Sequence, residues 1–396
     1  MDEFADRWGY SPDRFWLRGK RPDEPVEFEE ELGRWNVYGY PEMVEIMGDP
    51  ESYGVNATRL FELDENTRKY VDGDISQYTG LEHLNARKQV SRWFTPKALG
   101  DLETRIHKVA DELLTDLADR KRFDVLDDFV EEISGIVFSE LLGTPVEERA
   151  MLKIKDEPMN YEVEMANGED GDGGYFEGLV APLAPLRDFI GRAADAAVKQ
   201  PKDDLLSLMS QFRKVDGSPL SRDEIINFGI SILGAGRLAT PMLVGSALMC
   251  LESFPEQAEL VRADRSLVGS MLEETMRFVS PGNQSARATN REVVIGGKTI
   301  PPDQLVMLWI GPANRDPRAF TDPDNFDVTR NPNPHLGFGK GSYYCMGAQM
   351  VRMETRIMFN LLMDRFPNLR IDPETLPVHF ASPEFTGPST VMVLVD

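Results

Sequence analysis

The stretch His335-Leu336-Gly337-Phe338-Gly339-Lys340-Gly341-Ser342-Tyr343-Tyr344-Cys345-Met346-Gly347 decides how the chain is read. It sets one of only two cysteines among glycines and aromatics, just ahead of a helical pattern. From Gly347 onward Ala348, Met350, Val351, Met353, Ile357, Met358, Leu361 and Leu362 recur with the period of an amphipathic helix, with Arg352, Glu354 and Arg356 between them. Cys345 is therefore expected near a helix N-terminus, where free amides and the helix dipole favour a thiolate. Glycine lets backbone pass close to a flat ligand where a side chain would collide. A thiolate held this way beside an apolar face suits haem iron as an axial ligand. The plainer reading of a lone cysteine is a small buried hydrophobe. Cys250, in the apolar run 242–251 with no glycine loop, reads that way.

The bulk numbers narrow the classes. The 396 residues carry 43 Lys plus Arg against 67 Asp plus Glu, a formal charge of −24. So acidic a chain is not expected to hold nucleic acid or an anionic membrane over a broad surface. Apolar residues make up 41%, enough for a sizeable core, and two cysteines give no disulfide framework, which fits a reducing cytoplasm. The start, Met1-Asp2-Glu3-Phe4-Ala5-Asp6, reads as neither signal peptide nor anchor, and no apolar run is expected to reach the ~18–20 residues that span a bilayer.

Further motifs follow along the chain. Trp35-Asn36-Val37-Tyr38 and then 41–47 read as a strand and a short helix, and 102–144 carries helical periodicity. His83 and Arg87 lie four apart, so they share one helical face, with Lys88, Arg92 and Lys97 forming a basic cluster nearby. Residues 164–175, rich in glycine and acid, read as a mobile loop. Residues 223–252 form a long apolar helix interrupted by Gly234-Ala235-Gly236-Arg237-Leu238-Ala239-Thr240-Pro241. Pro241 has no N–H to give the Arg237 carbonyl, so a kinked, locally opened helix is expected. Thr240 is expected to turn its hydroxyl back onto the Gly236 carbonyl. At the helical period Arg237 lies about 200° from Ala239, which favours a salt bridge away from that face. Glu274-Thr275-Met276-Arg277 precedes Pro281, and 293–301 reads as a hairpin.

Phe338-Gly339-x-Gly341-x-x-x-Cys345-x-Gly347 resembles the haem-ligand loop of the cytochromes P450 at every fixed position. The other motifs resemble that family in order, from about Trp35 to the C-terminus. The resemblance implies a mainly α fold with small β-sheets, one domain over residues 1–396, soluble and of the bacterial type. It implies heme b (iron protoporphyrin IX), with Cys345 on the iron and His83, Arg87 and Arg287 on the propionates. Phe338, Gly339, Gly341 and Gly347 shape the loop. Tyr343 stands where a propionate histidine is common, and its phenol can still donate to a carboxylate. Glu274, Arg277 and Arg330 match the family's structural lock. Residues 223–252 are similar to the helix crossing the oxygen-binding face, with Gly236, Ala239 and Thr240 bordering the pocket. Where the family carries an acid and a threonine, this chain has Leu238 and Ala239. Thr240, a water or the substrate itself would then replace the usual proton relay.

The implied activity is insertion of one oxygen atom from dioxygen into a C–H bond. Electrons come from NAD(P)H through ferredoxin reductase and ferredoxin, for which the Lys88–Arg92–Lys97 cluster is a candidate dock. A biosynthetic monooxygenase acting on a natural product is the first reading. The missing pair leaves open oxidative coupling, peroxide-driven oxidation or rearrangement. A non-catalytic recruitment module is the third reading, and intact Cys345, Arg87 and Arg287 argue against it.

Overall fold

The computed structural model describes residues 2–62, 68, 72–152, 184–380, 382 and 384–395. The acidic stretch 164–175 lies outside them.

The helix Arg222–Ser253 organises the rest. Ser221 and Glu224 begin it reciprocally: the Ser221 hydroxyl accepts from the Glu224 amide at 3.2 Å, and the Glu224 carboxylate accepts from the Ser221 amide at 2.7 Å. It then runs 32 residues through Pro241 without interruption. Among the described helices, Glu131–Leu142, Ala184–Lys199, Val268–Phe278 and Ala348–Arg365 pack on it most extensively. By length and composition it would cross a membrane, contrary to the expectation that no run would, but 67% of that window is buried inside the protein. It is a core helix.

The apolar periods at 102–144 become Pro96–Leu117, whose first turn is capped by the Thr95 hydroxyl, and Glu131–Leu142. A single π-helical turn, Leu126–Val130, leads into the second. The sequence signals did not separate Ala184–Lys199 or Leu205–Gln211.

A five-stranded sheet flanks the helices in the order Val26–Glu29, Arg34–Val37, Leu305–Trp309, Gln284–Thr289, Tyr53–Gly54. Only Arg34–Val37 against Leu305–Trp309 is parallel. The expected hairpin forms, with Val293 opposite Ile300. The expected lock forms as well. Arg277 sends two bonds to Glu274 at 2.7 and 2.8 Å, both residues fully buried, and Arg330 reaches the same carboxylate at 3.1 Å. Arg277 also donates to the carbonyls of Asn314, Pro323 and Asn325, fastening the segment that leads to the Cys345 loop.

Candidate functional site

Cys345 sits three residues before the first residue of Ala348–Arg365. Its amide donates to the Phe338 carbonyl at 2.8 Å, closing the loop on itself, while the Gly339 amide donates to Leu336 at 2.8 Å. Gly339 and Gly341 take φ of 69° and 70°, left-handed values that a side chain would strain. A Cβ at Gly341 would also lie 2.8 Å from the Met47 carbonyl, so the crowding there comes from protein.

The residue is solvent-exposed. Burial raises the thiol above its ordinary range. The amides of Gly347 and Ala348, then Arg87 and Arg352, pull the other way. The expected thiolate preference is thus built in but outweighed until a cation arrives. Arg352 adds a second support: it lies 4.4 Å from the Phe338 ring centroid and donates to the Tyr344 hydroxyl and to Glu273. Burial opposes ionisation of Glu273, yet the bonds from Arg352 and His335 prevail and hold it at about 2.

Two helical turns bring His83 and Arg87 to this loop from Gly80–Val90. The Arg87 guanidinium donates to the Tyr344 carbonyl at 2.7 Å. His83 is buried and its ring lies 4.2 Å from that of Tyr343. Burial first, and then Arg87, lowers the His83 pKa, which keeps the imidazole neutral. Tyr343 stays a phenol, raised by burial against Arg287, and donates to the Tyr78 carbonyl at 3.4 Å. Arg287, on Gln284–Thr289, is 7% exposed and, among the described residues, donates to Ser285 and to the Ala286 carbonyl. Burial lowers its pKa to about 10, with Tyr343 opposing.

A buried guanidinium without a counter-ion is costly. Among the described residues neither Arg287 nor Arg87 has a carboxylate partner. Two arginines awaiting carboxylates beside one accessible sulfur fit a dianionic metalloporphyrin. His83, Arg87, Arg287 and Tyr343 would meet the carboxylates, and Cys345 the metal.

The central helix opens a stripe in an otherwise packed middle. Ala235 is exposed, and Ile232, Leu238 and Ala239 are half-buried, while 240–250 are all buried. Ala239 lies on this stripe one turn from Ala235, which the sequence reading passed over. Gly236 and Thr240 do not share that stripe. A Cβ at Gly236 would fall 1.9 Å from Phe138 Cζ, so this glycine lets Glu131–Leu142 pack closely. Thr240 is fully buried and donates to Glu354 at 3.2 Å, not to the Gly236 carbonyl, because the carboxylate is the stronger acceptor. Arg237 faces away and pairs with Glu131, as its helical phase required.

Glu354, read from the sequence as one of the polar residues between the apolar positions, is in fact buried, one turn from Met350 and Val351. Gly236→Ala should destabilise the protein by about 1–3 kcal/mol through overpacking against Phe138. Urea unfolding would measure it, and an unchanged midpoint would refute the packing role.

Residues 190–387 match the family model described as Cytochrome P450. The chain is 32% identical over 379 residues to cyclomarin C epoxidase CymV of Salinispora arenicola, covering 96% of this chain and 94% of that one. It is 30% identical to erythromycin C-12 hydroxylase of Saccharopolyspora erythraea, covering 90% and 88%. Among solved structures, HmtN, a post-tailoring hydroxylase involved in himastatin biosynthesis, superposes with a TM-score of 0.87 at 39% identity, covering 99% of both chains.

Proposed function

The chain belongs to the cytochrome P450 family and is a cytochrome P450 monooxygenase, and on that premise we propose that it tailors a natural-product intermediate with one oxygen atom of dioxygen. The second oxygen leaves as water, with two electrons from NAD(P)H and two protons. The observation that carries the reading is the convergence of an accessible Cys345 with Arg87 and the buried, carboxylate-free Arg287. The three relatives, named for epoxidation or hydroxylation in cyclomarin, erythromycin and himastatin chemistry, support the substrate class.

Heme b, bound through Cys345, would supply dioxygen activation. This chain's own residues do the rest. Arg87 and Arg287, with Tyr343 and His83, would hold the porphyrin carboxylates. Ala235 and Ala239, small and incompletely buried, would leave room for substrate on the central helix. The amides of Gly347 and Ala348 hold charge on the sulfur. Lys88 and Arg92, both exposed, stand beside exposed Leu81 and Leu84 on the same segment, a basic and apolar face suited to an acidic ferredoxin in the cytoplasm. The whole of residues 1–396 serves as one domain in this reading.

A spectral screen of natural-product precursors, followed by turnover with a ferredoxin system under labelled dioxygen, tests it. One labelled atom in the product is expected. Leu238 and Ala239, in the places of the acid and threonine, favour a second reading, and product free of label would select it.

Arg287→Ala should release haem roughly ten- to a hundred-fold faster, since charged hydrogen bonds contribute about 1.5–3 kcal/mol. The haem-free protein should lose no stability, because an uncompensated charge leaves the core. Haem transfer to a scavenger protein and urea unfolding of the two forms read these opposite effects.

A further inference from the structure

Where the central helix ends, the structure holds an apolar hollow of about 210 Å³. Leu248 and Leu251, from the last turns of that helix, form one wall, and Phe359 and Leu362 on Ala348–Arg365 form another. Phe366 and Leu369, beyond that second helix, extend the lining. Leu248 lies about 13 Å along the helix axis from Ala239, so the hollow is separate from the open stripe. Its volume falls below the roughly 300–1,000 Å³ of pockets for drug-sized molecules, which excludes so large an occupant.

Arginines border this lining. Arg262 lies in the last turn of Pro255–Ala263, Arg265 begins the turn Arg265–Leu267, and Arg370 lies on Arg370–Ile371. Three guanidinium groups around one hollow run against the trend of a chain whose formal charge is −24. The single carboxylate on the lining, Glu252, accepts from Arg7 at 3.4 Å. Among the described residues Arg262 forms no ion pair. Arg265 is half engaged: Nη2 donates to the Met363 carbonyl at 3.4 Å and stands 3.7 Å from the exposed Asp364. Its Nη1 is buried and has no acceptor among protein atoms. A buried donor on a permanently charged fork is costly to leave without an acceptor.

We infer that this hollow binds a small free amphiphilic carboxylate, its hydrocarbon end against Leu248, Phe359 and Leu362 and its carboxylate on Arg265 Nη1, with Arg262 beside it. A bare inorganic anion would leave the apolar lining wet, and a neutral chain would leave Nη1 unpaired. A chain ending in a carboxylate satisfies both, because burial of its hydrocarbon adds to a charge-assisted bond. The occupant touches the central helix and the helix that follows Cys345 at once. Binding therefore ties the two helices together and stabilises the folded protein by mass action. The site does not depend on the monooxygenase reading above.

Sodium octanoate is the probe, with octanol and acetate as controls, titrated by calorimetry into the full haem-loaded chain and into Arg265→Gln and Leu251→Trp. Octanoate should fill one site on the parent, raise its urea midpoint and leave the Soret band in place. Octanol, which lacks the charge, and acetate, which lacks the chain, should each bind about ten-fold more weakly or worse. Arg265→Gln should lose about ten-fold in octanoate affinity and no longer prefer octanoate to octanol. Leu251→Trp, which fills the hollow, should lose binding altogether. The haem spectrum of each variant checks that it is folded, and should Leu251→Trp fail that check, Arg265→Gln decides alone. Octanoate that binds the folded variants as tightly as the parent, or that shifts the Soret band, sits on the haem side and overturns the inference. An octanol affinity equal to that of octanoate on the parent, or no binding of octanoate at all, overturns it as well.

Discussion

Cys345→Ser should abolish the thiolate-type Soret band of the reduced, CO-bound protein while leaving the fold in place. The loop owes its shape to backbone: the Cys345 amide on Phe338, the Gly339 amide on Leu336, and Arg87 on the Tyr344 carbonyl. None of these involves the sulfur. Serine can therefore occupy the position, but its hydroxyl is far too weak an acid to become the anionic ligand. The thiol is itself pushed up by burial, so amides and arginines alone do not ionise it; coordination does, since a metal-bound thiol is deprotonated outright. The loss should accordingly be complete and not graded. Cys250→Ala is the matched control, because Cys250 is fully buried in the central helix away from any glycine loop. It should keep the band. Retention of the same metal-linked absorption by the serine variant would remove the ligand from the account, and with it the reading of the site.

What the sequence disclosed and what it withheld divide along a physical line. The Cys345 loop, the Glu274–Arg277–Arg330 lock, the hairpin at 293–300 and the Arg237 salt bridge were legible because each depends on local spacing or helical phase. Thr240 was misplaced for the opposite reason. Its choice between the Gly236 carbonyl and a carboxylate depended on which helix packs beside it, and Glu354 is 114 residues further on. Gly236 likewise looked like room for a ligand until Phe138 was found against it. The stripe centred on Ala235 was hidden because alanine carries no chemistry; only its exposure amid buried neighbours marks it. The basic residues Lys88 and Arg92 were found as written, but the apolar partners Leu81 and Leu84 emerge only once their helix is known to be bare on that side.

The second large effect concerns stability and pH. Glu354 has a folded-state pKa of about 7, above its ordinary 4.5, and Thr240 is its only opposing contact. Between these values the native protein holds a proton that the unfolded chain has released. Stability from this group is fully present below pH 4.5, declines as pH rises, and is gone once pH has passed about 7. The change amounts to about 3 kcal/mol. Glutamine preserves the shape and the bond with Thr240 but binds no proton in this range. Urea unfolding of parent and Glu354→Gln across pH 4.5–8 should therefore give curves that diverge. The stability difference should shift toward the variant by about 3 kcal/mol on going from acid to pH 8. Comparing the two proteins cancels every other titrating group, including Glu273, whose depressed pKa acts below this window. Parallel curves would mean that Glu354 ionises as it does in water, which its burial without a cation forbids.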